Sequence, residues 1–179
     1  MVLLRVFSKD NMEYNQYEPQ LDSRIDLSAL LKFDFSKTLL VYQGIPFIVR
    51  ITEVENVFRK ENGNFYIQRV DAGFQNVEWR FRDKSSGKME KIDYTIIELV
   101  ELDPGIIPLS IIDVLFFHEL REMYYQKILN NSKEIAHRKA RKDEKTYIDN
   151  FLSISEKQIY EKFCREFRPI KRKIQGEKV

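Results

Sequence analysis

Apolar and polar residues alternate with a period near two through much of the first hundred residues, and with a helical period after that. Val2 to Phe7 reads as a short strand, Ser8 to Gln20 as a loop rich in Asn, Glu, Tyr and Asp, and Asp26 to Leu31 as a helical turn. Thr38 to Tyr42 and Pro46 to Ile51 read as a hairpin about Gln43-Gly44. Val54 to Arg59 and Phe65 to Val70 flank Glu61-Asn62-Gly63-Asn64, where Asn-Gly is a strong turn signal. Val77 to Phe81 alternates up to the Lys84-Ser85-Ser86-Gly87 turn, and Met89 to Tyr94 or Thr95 to Leu102 returns. Sheet first and helices afterwards predict an α+β fold with an antiparallel N-terminal sheet. No internal repeat or low-complexity tract interrupts it.

Three helices follow. In the first, Ile111, Ile112, Val114, Leu115, Phe116, Phe117, Leu120 and Met123 cover nearly the whole circumference, which predicts a buried helix. Ser110 is its expected N-cap, Asp113 the capping-box partner, and Pro108 stops an earlier start. In the second, Asn131 is the expected N-cap with Glu134 at the capping-box position, and the helix runs to about Leu152. Its inward stripe is Ala136 or His137, Ala140, Glu144, Tyr147 or Ile148, and Phe151, while Arg138, Lys139, Arg141, Lys142 and Lys145 crowd the rest. The third starts at a Ser153–Glu156 capping box and presents Ile159, Tyr160, Phe163 and Phe167 on one face until Pro169. The expected organisation is a mainly β part over 1–105, a helical part of the same domain over 106–168, and a mobile basic tail over 169–179.

Composition narrows the class. A chain of 179 residues, 43% hydrophobic and 32% charged, suits one soluble domain with a real core. A net charge of +2 supplies no strong field toward nucleic acid or membrane. Val77-Glu-Trp-Arg-Phe-Arg82 could stack bases on Trp79 and Phe81 and hold phosphates with Arg80 and Arg82; the plainer reading is a half-buried strand, aromatics inward. One cysteine, Cys164, excludes an internal disulfide framework, and Met1 to Phe7 is too short for a signal peptide or membrane span, so a cytoplasmic protein is expected.

The chemistry concentrates in Phe116 to Tyr125, where His118, Glu119 and Glu122 interrupt the most apolar helix. Burying an unpartnered charge costs several kcal/mol per ion, so these groups need partners. His118 and Glu122 lie one turn apart on one face, with Glu119 about a quarter turn away. Two ligands at i and i+4 with a carboxylate at i+1 offer a metal ion two ligands and its water a general base. The plainer alternative is a hydrogen-bonded core histidine beside a solvated edge of Glu119, Arg121 and Glu122. The only other histidine, His137, sits on the next helix, and an antiparallel hairpin brings residues 118 to 122 opposite roughly 136 to 141. His118, Glu122 and His137 are therefore the expected metal ligands, with Glu144 a carboxylate behind them or simply an i,i−3 partner of Arg141.

Val100-Glu-Leu-Asp-Pro104, Ile107-Pro108 and Val114-Leu-Phe-Phe-His-Glu-Leu-Arg-Glu122 resemble the zincin-like metallopeptidases. The continuation through Ala136-His137, Ala140 and Glu144 is similar to a small zincin-like group of largely uncharacterised proteins, several from viruses and mobile elements. The resemblance covers about residues 100 to 144. It implies a zincin-like helix hairpin, His118 and His137 as ligands of Zn²⁺ (or of Mn²⁺ or Fe²⁺), and Glu119 as general base, with Glu122 standing where that family has its second histidine. A carboxylate there implies a harder site, less selective for zinc. Two classes are expected to compete: a metal-dependent peptidase, holding extended peptide or protein substrate along the strand near Val100 to Leu102, and a non-catalytic binding or structural protein on the same scaffold.

Overall fold

The computed structural model describes residues 13–17, 24–35, 38–52, 56–61, 64–69, 72–82, 86–100, 109–166 and 172–174. In chain order the elements are β1 (Glu13–Gln16), α1 (Leu27–Leu30), β2 (Thr38–Tyr42), β3 (Ile45–Thr52), β4 (Asn56–Glu61), β5 (Asn64–Arg69), β6 (Ala72–Arg82), β7 (Met89–Val100), α2 (Leu109–Lys127), α3 (Lys133–Phe151), α4 (Ile154–Glu166) and β8 (Arg172–Ile174). The fold is α+β: a five-stranded sheet ordered β1-β2-β3-β7-β6 and then a helical region, with β4, β5 and β8 forming a separate three-stranded sheet.

The large sheet corrects the expectation of antiparallel pairing, because it is mixed. Neighbours in sequence pair antiparallel, β2 with β3 and β6 with β7. β1 runs parallel to β2, and β3 parallel to β7. The hairpin between β2 and β3 follows from its turn: Gln43 and Gly44 both take positive φ, 52° and 79°, as a two-residue turn matched to strand twist requires. β1 lies within the stretch expected to be a loop, and β7 is one continuous strand through Tyr94 and Thr95. The expected strand Val2 to Phe7, the Asn62-Gly63 turn and Pro108 lie outside the described residues, as do the side chains of Trp79 and Phe81. Arg80 and Arg82 are exposed. In the expected basic tail, Arg172–Ile174 pairs antiparallel with β5.

Alternation decides which face of the sheet receives the helices. Phe47 and Val49 of β3 with Ile97 and Leu99 of β7 join the main core, and Leu39, Tyr94 and Ile96 form a smaller cluster with Ile48, Val77 and Ile92. Every residue of α2 from Ser110 to Leu120 is buried, in keeping with its all-round apolar character. Phe116 packs against Phe47 and Tyr17, with ring centroids 6.4 and 6.2 Å away.

Two helix starts differ from expectation. α2 begins at Leu109, so Ser110 is already helical, and Asp113 turns away from its own helix to accept from the Leu27 backbone N–H at 3.2 Å. Ser132, not Asn131, caps α3 by accepting from the Ile135 N–H. The α2–α3 turn closes by a left-handed residue, Asn130 (φ 49°), with the Asn131 N–H donating to the Tyr125 carbonyl at 3.0 Å. This tight reversal makes α2 and α3 antiparallel neighbours. At Ser153 the reciprocal capping box is present: its N–H donates to Glu156 Oε2 at 2.9 Å and its Oγ accepts from the Glu156 N–H at 3.3 Å. None of the described helices is long and apolar enough to cross a membrane.

Candidate metal centre

Ala136 and Ala140 are fully buried, so the backbone of α3 can approach α2 where the polar residues face each other. There the structure brings together His118, Glu122, His137 and Glu144. His118 Nε2 lies 3.3 Å from His137 Nδ1 and 3.4 Å from Glu122 Oε2, and His137 Nδ1 lies 2.7 Å from the same Glu122 oxygen. His118, Glu122 and Glu144 are buried, whereas the His137 side chain is 47% exposed, so the group opens to solvent at His137. Arg121 and Glu122, expected on a solvated edge in the plainer reading, are half-buried and buried.

These separations can be set against what an ion needs. Four ligands placed tetrahedrally at about 2.0–2.1 Å from Zn²⁺ are roughly 3.3–3.4 Å apart. Two of the three edges have that length. The third, His137 to Glu122, is a hydrogen-bond distance and would open by roughly half an ångström, a shift within reach of an exposed histidine. Two imidazoles and a carboxylate also form a recognised donor set for a divalent ion, so the residues present fit the group.

The surroundings orient each donor. Glu144 Oε2 is 2.6 Å from His118 Nδ1, so that nitrogen would keep its proton, while Nε2, which faces Glu122 and His137, would release its own to ligate an ion. The other Glu144 oxygen accepts from the Tyr160 hydroxyl on α4 and lies 3.3 Å from Arg141. Gln126 donates to Glu122 Oε1 at 2.9 Å. Burial works against charge on His118, but hydrogen bonds to Glu122 and Glu144 and the nearby Glu119 overcome it and push its pKa up to about 9. For Glu122 and Glu144 burial likewise opposes ionisation; His118 and His137 at Glu122, and His118 with Tyr160 and Arg141 at Glu144, more than compensate and hold both below the usual carboxylate range. Glu119 is buried on the same helix and is not among the three groups whose ligand atoms converge within 4.8 Å.

No known protein family, curated protein or solved structure matches this chain.

Two features of the site have no counterpart in the sequence reading. Gln126 is legible afterwards as the residue four on from Glu122, but Tyr160 reaches Glu144 only because α4 docks where it does. Of the expected substrate strand, Val100 pairs with Thr52 of β3, and Glu101 and Leu102 lie outside the described residues. A cleft of about 130 Å³ lined by Phe117, Arg121, Asp143, Thr146, Tyr147, Asn150 and Phe151 includes none of the four clustered residues.

Proposed function

We propose that this protein is a metal-dependent hydrolase, a zincin-like peptidase acting on peptide or protein substrates in the cytoplasm. The observation that supports it most is the convergence of His118 Nε2, Glu122 Oε2 and His137 Nδ1 on facing helices, with Glu144 behind His118. These three residues would hold Zn²⁺, Mn²⁺ or Fe²⁺, and the ion would polarise a substrate carbonyl and acidify a water. Glu119 is assigned as general base: its carboxylate takes the proton of the attacking water and passes it to the leaving amine. Glu144 keeps the His118 ring turned so that Nε2 faces the ligand group. A single cysteine supports the cytoplasmic assignment, since it suits a reducing compartment. The resemblance over residues 100 to 144 also suggests an origin in a virus or mobile element.

A second reading has its own observation. The four clustered groups already meet one another at hydrogen-bond distance, and Tyr160 and Gln126 take the outer carboxylate oxygens, so the cluster can serve purely to pin α2 to α3 and α4 in a binding or structural protein. Peptide-library cleavage by the metal-loaded wild type and Glu119→Gln separates the two. The hydrolase reading expects cleavage that a chelator abolishes and that Glu119→Gln loses while keeping its ion. Equal residual cleavage by both proteins, or none by either, leaves the binding reading as the better one.

A further inference from the structure

Resting on the metal-site reading above, we propose that Gln126 is a positioning residue that confines Glu122 to a single ligating oxygen and so makes the site select Zn²⁺ over Mn²⁺. The two oxygens of Glu122 have different neighbours. Oε2 faces His137 Nδ1 at 2.7 Å and His118 Nε2 at 3.4 Å, and Oε1 accepts from Gln126 Nε2 at 2.9 Å. An ionised carboxylate only accepts, so the Gln126 amide must present its NH₂ there and its orientation is fixed by chemistry. Gln126 is four residues after Glu122, so the regular geometry of α2 places the donor.

Ligation by both oxygens would require Oε1 to leave that donor. The half-buried Gln126 amide would then lose its partner, a penalty that matters beside the small energy difference between one- and two-oxygen ligation. The other donors are confined in the same way. His118 has Glu144 at Nδ1 and only Nε2 for the site, and Glu144 has its outer oxygen engaged by Tyr160. Three single-atom N and O donors, one of them on the solvent-exposed His137, suit a four-coordinate ion. Ions that prefer more oxygen ligands gain from two-oxygen carboxylates, which Gln126 disfavours. This reverses the softness argument from sequence, in which a carboxylate at position 122 lowers zinc selectivity.

The test uses the full-length, metal-stripped protein loaded with Co²⁺, whose visible absorption is strong in four-coordinate sites and weak at higher coordination, together with Zn²⁺/Mn²⁺ competition. Wild type is expected to give the strong spectrum. Gln126→Met is expected to weaken the spectrum and lower the Zn²⁺-over-Mn²⁺ preference by about tenfold, with the ion still bound. Gln126→Lys, which can again donate to Oε1, should restore both. If the Met variant does not fold, Gln126→Ala, which removes the donor without adding charge, gives the same decision. A donor-less variant that folds and keeps the wild-type spectrum and preference overturns the role of Gln126 while leaving the metal site standing. A wild type that binds neither Co²⁺ nor Zn²⁺ overturns the site itself.

Discussion

Two polar clusters bridge α2 and α3 within a turn of each other, and they are built differently. In the first, Arg121 meets Asp143 at 2.6 Å, and its other nitrogens donate to the hydroxyls of Tyr42 and Tyr125, both at 3.0 Å. Its guanidinium carbon also lies 5.0 Å from the ring centres of Tyr124 and Tyr125. One cation faces one anion, so the cluster is complete. In the second, two carboxylates face two imidazoles, with the partly exposed Arg141 3.3 Å from Glu144. A proton on His118 helps to hold both carboxylates ionised, and a divalent ion bound between the histidines and Glu122 would displace that proton. The same interface thus holds a fixed ion pair and one whose positive charge, a proton, a metal ion could replace. The difference separates a structural contact from a candidate site better than burial alone does.

The largest expected effect breaks the finished pair. Arg121→Ala should cost about 2–3 kcal/mol in denaturant melts, because Asp143 loses its cation and the Tyr42 hydroxyl its donor in a half-buried setting, although Tyr125 still donates to Asp143 at 2.8 Å. Replacing both partners, Arg121→Met with Asp143→Leu, should cost less than the single change, and Zn²⁺ binding should survive in both. A double variant no better than the single one would mean that packing, not charge pairing, holds that cluster. Next comes the open cluster. Tyr160→Phe removes the hydroxyl donor of Glu144 and should cost about 1–2 kcal/mol while weakening Zn²⁺ binding up to about tenfold. Unchanged affinity in a competition titration would detach Tyr160 from the site.

The smallest effect sharpens the comparison at the start of α2. Burial pushes the Asp113 pKa up to about 6 despite the Leu27 N–H, with the Arg24 guanidinium 3.9 Å away. A carboxyl group whose folded pKa is raised contributes stability below its unfolded value, near pH 4, and loses it as pH rises through about 6. Asp113→Asn keeps the acceptor without the charge. It should match wild type near pH 4 and exceed it by roughly 1 kcal/mol above pH 6. A pH-independent difference in melting would contradict the assignment.

What could be read from sequence was local. The Gln43-Gly44 hairpin and the Ser153–Glu156 box depend on residues two or three apart, and each appears where its chemistry put it. Parallel pairing of β3 with β7 joins strands some forty residues apart and leaves no short-range signal. Asp113 shows the same limit: its capping-box spacing is genuine, but its carboxylate accepts from the N–H at the start of the distant helix α1. The cluster was legible to the extent that helical spacing carried it, His118 to Glu122 and His137 to Glu144, and the scarcity of histidine did the rest. Tyr160 was hidden because its partner depends on how α4 docks.

The claim that His118, Glu122 and His137 form a binding site for a divalent ion is tested most directly by calorimetric titration of metal-stripped protein with Zn²⁺. One ion per chain is expected for wild type and for Glu119→Gln, and none at comparable affinity for His118→Ala. Absence of binding to wild type, or binding undiminished in His118→Ala, would contradict it.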